Sequence, residues 1–242
     1  MRYKLQNVII LIKVDLKFLQ RGRVMATKVL TIEKAADLVK SGSSVMVGGF
    51  LNCGSPNGIL EELKERPVKN LTVIANDTSF VGKGLGYLIT NKQISELFVS
   101  HVGTNPETGQ QMTNGETKVN LVPQGTLAEQ IRCGGNGLGG FLTPTGVGTP
   151  VQEGKEIVTI GGKNYLMEMP IKADIALIKA YKADKKGNLV YRGSARNFNP
   201  IMATAAKVVI AEVEQIVEVG ELDPDVVVTP SVFVDYLVLS KG

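Results

Sequence analysis

A chain of 242 residues with 43% hydrophobic content can bury a sizeable core, and one domain is expected rather than two small ones. The formal charge is +4, with 27 Lys and Arg scattered among 23 acidic residues, so nucleic acid is not expected as a partner; the mild excess suits an anionic ligand, though solvated lysines account for it more simply. Cys53 and Cys133 lie far apart with no CxxC and a single histidine in the chain, which argues against a disulfide framework or a zinc site and fits a reducing cytoplasm.

The apolar run Val8 to Ile12 is soon followed by Lys13, Asp15 and Lys17. It is too short to cross a membrane and lacks the features of a secretion signal. Further on, Ile32, Ala35, Ala36 and Val39 share one helical face, with Thr31 placed to cap it. Val45 to Val47 reads as a strand that breaks into the loop Gly48 to Pro56, where Ser55 suits an N-cap and Pro56 the first position of a helix over Asn57 to Lys64. Pro67 stops that helix before the strand Leu71 to Ala75, which gives a βαβ rhythm.

Short apolar runs at Ile94 to Ser100, Val119 to Val122, Ile175 to Ile178, Val208 to Ala211 and Val226 to Val228 read as strands buried on both faces. The expected fold is α/β: an open, mostly parallel sheet with helices on both faces. Ile157 to Ile160, the pair Gly161-Gly162, and Lys163 to Leu166 predict a small antiparallel hairpin insertion. A second turn, Asp184 to Asn188, separates Ile175 to Ala180 from Leu189 to Tyr191. The glycine-dense stretch Gly134 to Gly148, anchored by Phe141, Leu142 and Val147, reads as an ordered loop, and Asn199-Pro200 as N-cap and first residue of an alanine-rich helix.

Several motifs exclude chemistries. Gly135 to Gly140 satisfies GxGxxG, but Leu127 to Arg132 before it is helical and Thr143-Pro144 follows, so a dinucleotide site is not expected. Gly82-Lys83-Gly84 lacks the spacing and the Ser or Thr of a Walker A loop. His101 has no readable nucleophile and acid to form a hydrolase set, and reads as a structural, hydrogen-bonded residue. A helix N-terminus could activate the Cys53 thiol, yet packing against the glycine turn explains it better. Glu61 and Glu62 fall on an exposed helix face, and solvation is the reading for Glu212, Glu214 and Glu218 after a strand. Arg196 suits either a bound carboxylate or phosphate or a structural ion pair.

By itself a strand–glycine–helix junction either binds a ligand or merely turns the chain. The spacing Gly-Gly-Phe-x-x-x-Gly-x-Pro at Gly48, Gly49, Phe50, Gly54 and Pro56, however, resembles the signature of the alpha subunit of family I coenzyme A transferases. Ile74 to Thr78, His101 to Gly109, Val122 to Thr126, Gly139 to Thr149 and Ser194 to Pro200 resemble the same subunit, in its acetate/butyrate–acetoacetate type. The likeness runs from about Thr27 to Leu239; Ser41, where the family usually has Asp or Asn before Gly42, is a departure that a turn tolerates. Residues 1–24 are accordingly set apart as an upstream start or natural extension, and 25–242 as the alpha-subunit domain.

The resemblance implies CoA or acyl contact for Gly48, Gly49, Phe50, Leu51, Asn52, Cys53 and Gly54, with the Gly48 and Gly49 amides available to developing oxygen charge. It places Pro56, Asn76, Gln124, Gly125, Gly140, Thr143, Gly146 and Gly148 next to the cleft. It implies no catalytic nucleophile and no metal ligand here, because the family's glutamate lies in a Ser-Glu-Asn-Gly-like motif of the beta subunit, while Asn114-Gly115-Glu116 has the wrong order. CoA is then a co-substrate, no resident cofactor is expected, and the partners are a beta subunit in an α2β2 heterotetramer, acyl-CoA and short-chain carboxylates. A sugar-phosphate isomerase on a related fold and a non-catalytic CoA-binding protein are the alternatives.

Overall fold

A computed structural model describes residues 27–241, so the extension at 1–24 and the Val8 to Ile12 run lie outside the described residues. The chain opens with β1 (Lys28–Leu30), α1 (Ile32–Ala36) and β2 (Ser44–Val47). It continues with α2 (Asn57–Lys64), β3 (Leu71–Ala75), α3 (Gly86–Thr90), β4 (Ile94–Val99), α4 (Pro106–Thr113) and β5 (Lys118–Leu121). Next come α5 (Gln124–Asn136), β6 (Phe141–Thr143), β7 (Ile157–Ile160) and β8 (Lys163–Glu168). The last elements are β9 (Ala173–Asp184), β10 (Leu189–Val190), α6 (Asn199–Thr204), β11 (Ala206–Val217) and β12 (Tyr236–Leu239).

The main sheet has the order β1-β12-β11-β9-β2-β3-β4-β5, all parallel, with β10 antiparallel beside β9. Successive strand residues serve opposite faces, as the pleat requires. Val45 and Val47 join one core with Ile59, Leu60 and Leu63 of α2 and Leu88 and Ile89 of α3. Met46 joins the other, with Leu127 and Ile131 of α5 and Met202 and Ala203 of α6. Helices on both faces are what make the central strands read as continuous apolar runs.

Neighbouring strands β2 and β9 send their onward connections to opposite faces, β2 through α2 and β9 through α6. Such a switch point opens a crevice at the carboxyl edge of the sheet, where α/β proteins bind ligands.

Most local expectations hold. Thr31 Oγ1 accepts the Lys34 amide at 3.4 Å, and Ile32, Ala35, Ala36 and Val39 are all buried. Gly161 and Gly162, both with positive φ (58° and 76°), close the β7–β8 hairpin. The Asp184 turn forms through the carboxylate itself, whose Oδ1 accepts the amides of Lys186, Gly187 and Asn188.

Three expectations are corrected. Val226 to Val228 is not a strand: Pro224 has no amide to donate and Asp223 accepts the Asp225 N–H, which winds Pro224–Val226 into a 3-10 turn, and β12 takes the strand place instead. Val119 to Val122 is not buried on both faces, because β5 is the last strand of the sheet and Leu121 is exposed. Gly134 to Gly148 is not one loop; α5 runs to Asn136 and ends on Gly137 in the left-handed region, and β6 pairs with β8 to make the insertion a three-stranded sheet. Buried Glu168 ties that small sheet to α5, with Lys155 Nζ at 2.6 Å and Gln130 Nε2 at 2.9 Å.

The amino ends of β2 and β9 are locked by Asp174, which accepts the Ser44 amide at 3.0 Å, the Ser44 hydroxyl at 2.7 Å and Lys207 Nζ at 2.8 Å. Lys207 foremost, then the two Ser44 bonds, lower the Asp174 pKa from 3.8 to about 2. A folded value below the ordinary one means that the contribution is present above about pH 4 and is lost as the pH falls through about 2. Solvent screening keeps it small, since the carboxylate is partly exposed. Asp174→Asn should therefore lower the melting temperature at pH 7, and the gap to wild type should close between pH 4 and pH 2 in a thermal-unfolding series.

Candidate active site at the carboxyl edge of the sheet

The loop after β2 continues the ladder for one rung, Gly48 N–H donating to Leu177 O at 2.9 Å, and then turns away. Gly49 N–H donates to Asn197 Oδ1 at 3.1 Å and Leu51 N–H to Asp77 Oδ2 at 2.9 Å. Phe50 and Cys53 exchange two backbone bonds, at 2.9 and 2.8 Å, across Leu51 and Asn52, whose φ values are +46° and +76°. This is a two-residue turn of the mirror-image type, held by surrounding contacts despite two non-glycine residues in the left-handed region. Its tip exposes Phe50 and Cys53.

The glycines are there for close approach. A Cβ on Gly48 would stand 1.8 Å from Asn199 Oδ1, and one on Gly54 (φ +70°) 2.4 Å from Ala195 O. The space beneath the loop, between Gly48, Gly49, Ser55, Ala75, Asp77 and Ser79, is about 10 Å³, room for roughly one water. The surface that the loop leaves open is its outer side, at the Phe50–Cys53 tip. The expectation that the Gly48 and Gly49 amides face a developing oxygen charge is overturned, because both already bond to Leu177 O and Asn197 Oδ1.

Asp77, which sequence reasoning passed over in favour of Asn76, is the clamp of this region. Its Oδ1 accepts Ser79 N–H at 2.7 Å, and its Oδ2 accepts Leu51 N–H and, at 2.8 Å, Asn76 Nδ2. It thereby joins the glycine loop to a second exposed hairpin, Phe80 to Lys83. A carboxylate two residues past the end of an apolar strand was the available signal. Buried Asn76 accepts Gln124 Nε2 at 2.7 Å, so two residues 48 positions apart that were expected beside the cleft do meet.

Two capping expectations fail. Asn199 is not the N-cap of α6 but its first residue, and its carboxamide is a bridge: Nδ2 donates to Gly54 O at 3.0 Å and Ala195 O at 2.9 Å, while Oδ1 accepts Lys179 N–H at 2.9 Å. Ser55 does not cap α2 either; the N-cap is Pro56 and makes no side-chain bond, because the Ser55 hydroxyl packs against Gly49. The third amide of α2, Ile59 N–H, donates instead at 3.0 Å to Glu212 Oε2 of β11. The solvated reading of Glu212 is thus wrong: it is 2% exposed and paired with Lys179 at 3.2 Å. Glu214 and Glu218 are exposed, as are Glu61 and, with no ion pair among the described residues, Arg196. His101 is exposed rather than packed into a buried network.

The remaining expected residues gather around α5 and β6. Gly125 and Thr143 line an open pocket of about 500 Å³ with Thr126, Glu129, Phe141 and Leu142. A Cβ on Gly140 would meet Glu168 O at 2.7 Å and one on Gly146 would meet Val151 at 2.7 Å, while Gly148 N–H donates to Gln152 Oε1 at 2.9 Å, so packing and turn geometry alone account for these three. Among the described residues, no group of three His, Cys, Asp or Glu side chains could hold a metal ion, and no helix is long and apolar enough to cross a membrane.

A parallel sheet wound on both faces, with a glycine loop at its switch point, defines a doubly wound α/β protein, a class that binds ligands at the carboxyl edge of the sheet. The family model described as coenzyme A transferase matches residues 29–240, and the chain belongs to that family. It is 53% identical over 217 residues to the acetate CoA-transferase subunit alpha of Escherichia coli K12, covering 90% of this chain and 99% of the relative. It is 46% identical to the acetoacetyl-CoA:acetate/butyrate CoA transferase alpha subunit of Clostridium acetobutylicum, covering 88% and 98%. Among solved structures, the acyl-CoA transferase of Escherichia coli O157:H7 in a thioester complex with CoA superposes with a TM-score of 0.80 at 20% identity. That match covers 89% of this chain but 47% of the solved one, so this chain spans about half its length. Glutaconate coenzyme A-transferase of Acidaminococcus fermentans gives 0.77 at 19% identity, covering 88% and 76%. These two show the shared fold.

Removing the clamp should loosen the loop. Asp77→Ala leaves the Leu51 and Ser79 amides without their acceptor and should destabilise the chain by roughly 3 kcal/mol, read as a lower urea midpoint.

Proposed function

We propose that this chain is the alpha subunit of a heteromeric short-chain acyl-CoA:carboxylate CoA-transferase of the acetate or acetoacetate type. The observation that carries the reading is full-length similarity, at 53% and 46% identity, to chains named as alpha subunits of such enzymes. The site's own chemistry supports it. The two buried carboxylates nearest the glycine loop, Asp77 and Glu212, spend both oxygens on amides, Asn76, Lys179 and Ser240. Neither is free to attack a thioester, which supports a nucleophile carried by a partner chain, as the family resemblance implies.

On this reading the partner's carboxylate attacks the acyl-CoA carbonyl, releasing CoA thiolate and leaving a mixed anhydride. The thiolate then attacks the partner's own acyl carbon, expelling the first carboxylate product and giving an enzyme–CoA thioester; an incoming carboxylate reverses the two steps. One thioester replaces another, so neither ATP nor a resident cofactor is needed, and CoA is a co-substrate. This chain contributes the Phe50–Cys53 tip and the Asn76–Gln124 edge to the cleft and excludes water from the activated intermediate. The assembly is an α2β2 heterotetramer in the cytoplasm.

Loss of acetoacetyl-CoA absorbance with acetate present tests the proposal on this chain alone, on its co-expressed partner alone and on the two together. Turnover is expected only in the mixture. Turnover by this chain alone overturns the split site.

A further inference from the structure

On three adjacent strands the apolar core ends in the same way. Leu177 of β9, Ile210 of β11 and Val238 of β12 belong to one core face. Two residues further on, on the same face, stand Lys179, Glu212 and Ser240. Lys179 and Glu212 are direct neighbours in the β9–β11 register, and their side chains are only 16% and 3% exposed. Glu212 Oε1 takes Lys179 Nζ at 3.2 Å and the Ser240 hydroxyl at 3.0 Å, and Lys179 Nζ also donates to Ser240 Oγ. Glu212 Oε2 turns the other way and accepts the Ile59 amide at 3.0 Å.

A buried charge pair is a poor source of stability, since desolvation offsets most of the attraction. Its geometry here serves something else. The first amides of a helix need acceptors, and the sequence just before α2 supplies none through a side chain. Glu212 fills that place from a strand 153 residues away, with its charge suited to the positive helix end. Lys179, whose ammonium orients Glu212, also gives its backbone N–H to Asn199, which holds Gly54 O. The glycine loop is thus pinned at Gly48 by Leu177, at Gly54 through Lys179 and Asn199, and at Ile59 through Lys179 and Glu212.

We propose that Glu212, oriented by Lys179, is a positioning residue of the CoA-transferase site: it caps α2 across the sheet and so fixes where the Gly48–Gly54 loop presents its tip. The link to turnover rests on the function proposed above; the link to loop order does not.

Amide hydrogen exchange and kinetics on the full chain, co-expressed with its partner, separate the two. Replacing the pair with apolar residues (Lys179→Met with Glu212→Leu) removes the acceptor without stranding a charge. It should leave the melting temperature within a few degrees of wild type, speed exchange over residues 48–60 at least tenfold, and lower kcat at least tenfold. Lys179→Met with Glu212→Gln keeps an accepting oxygen for Ile59 and should bring exchange and kcat back to within about threefold of wild type. Wild-type exchange over 48–60 in the apolar pair overturns the proposal, as does a Gln pair that exchanges as fast as the apolar one. In the unaltered chain, residue-level exchange should rank Ile59 with the slow core amides; fast exchange there overturns the proposal even if a variant does not fold. Absence of CoA transfer by the wild-type complex defeats the functional reading alone, because the exchange comparison still decides the loop.

Discussion

The backbone of β9 between Leu177 and Lys179 is the fixed reference for the whole carboxyl edge. β2 pairs with β9 through Val45, Met46 and Val47 and then leaves, while β9 runs on to Asp184. Backbone groups of β9 beyond that point still need partners, since burying them unpaired is costly. Gly48 takes Leu177 O and the Asn199 carboxamide takes Lys179 N–H. Satisfying the edge of a central strand therefore also fixes the glycine loop, and any residue larger than glycine at position 48 would collide with the bridging carboxamide.

Once the loop is tied to that reference, its neighbours follow. Asp77 at the end of β3 fixes the loop tip and the second hairpin together, and Asn197 and Asn199 at the start of α6 fix the loop flanks. Side-chain amides and carboxylates here replace regular secondary structure as acceptors and donors for a tightly turned backbone. The consequence for chemistry is that the loop's amides at Gly48, Gly49 and Leu51 are already paired, while Asn52 Oδ1, Asn57 Oδ1 and Ser79 Oγ are buried in or beside it without a partner among the described residues. What it offers a ligand is the outer tip, with Phe50 and Cys53 exposed, and a cleft built on such a tip is completed by a second chain in the proposed assembly.

The regular elements were legible because their signals are local. Leu71 to Ala75 is a strand at the residues its apolar run marks, Asn57 to Lys64 a helix ended before Pro67, and Gly161-Gly162 a hairpin turn because two successive positive φ angles suit glycine. Val226 to Val228 has the same composition as a strand, but Asp223-Pro224 just before it favours a turn, and apolar content does not weigh that competition. The site was legible as a loop and as a set of segments resembling a family. It was not legible as a bonding pattern: Asn199 looked like a cap because Asn before Pro often is one, and Glu212 looked solvated because a carboxylate in a polar-looking strand end usually is.

The sequence by itself determined the α/β alternation, the place where the glycine loop breaks from β2, and the family signature carried by Gly48, Gly49, Phe50, Gly54 and Pro56, all properties of residues close together along the chain. Only the tertiary structure decided which strands are neighbours, and hence that β9 and β11 bring Lys179 and Glu212 beneath the first turn of α2 and that Asn199 spans from Lys179 to Gly54. Hydrogen-bond partners separated by 20 to 153 residues are chosen by strand order and register. That choice is made by which faces pack together, and it leaves no mark in the local spacing of either partner.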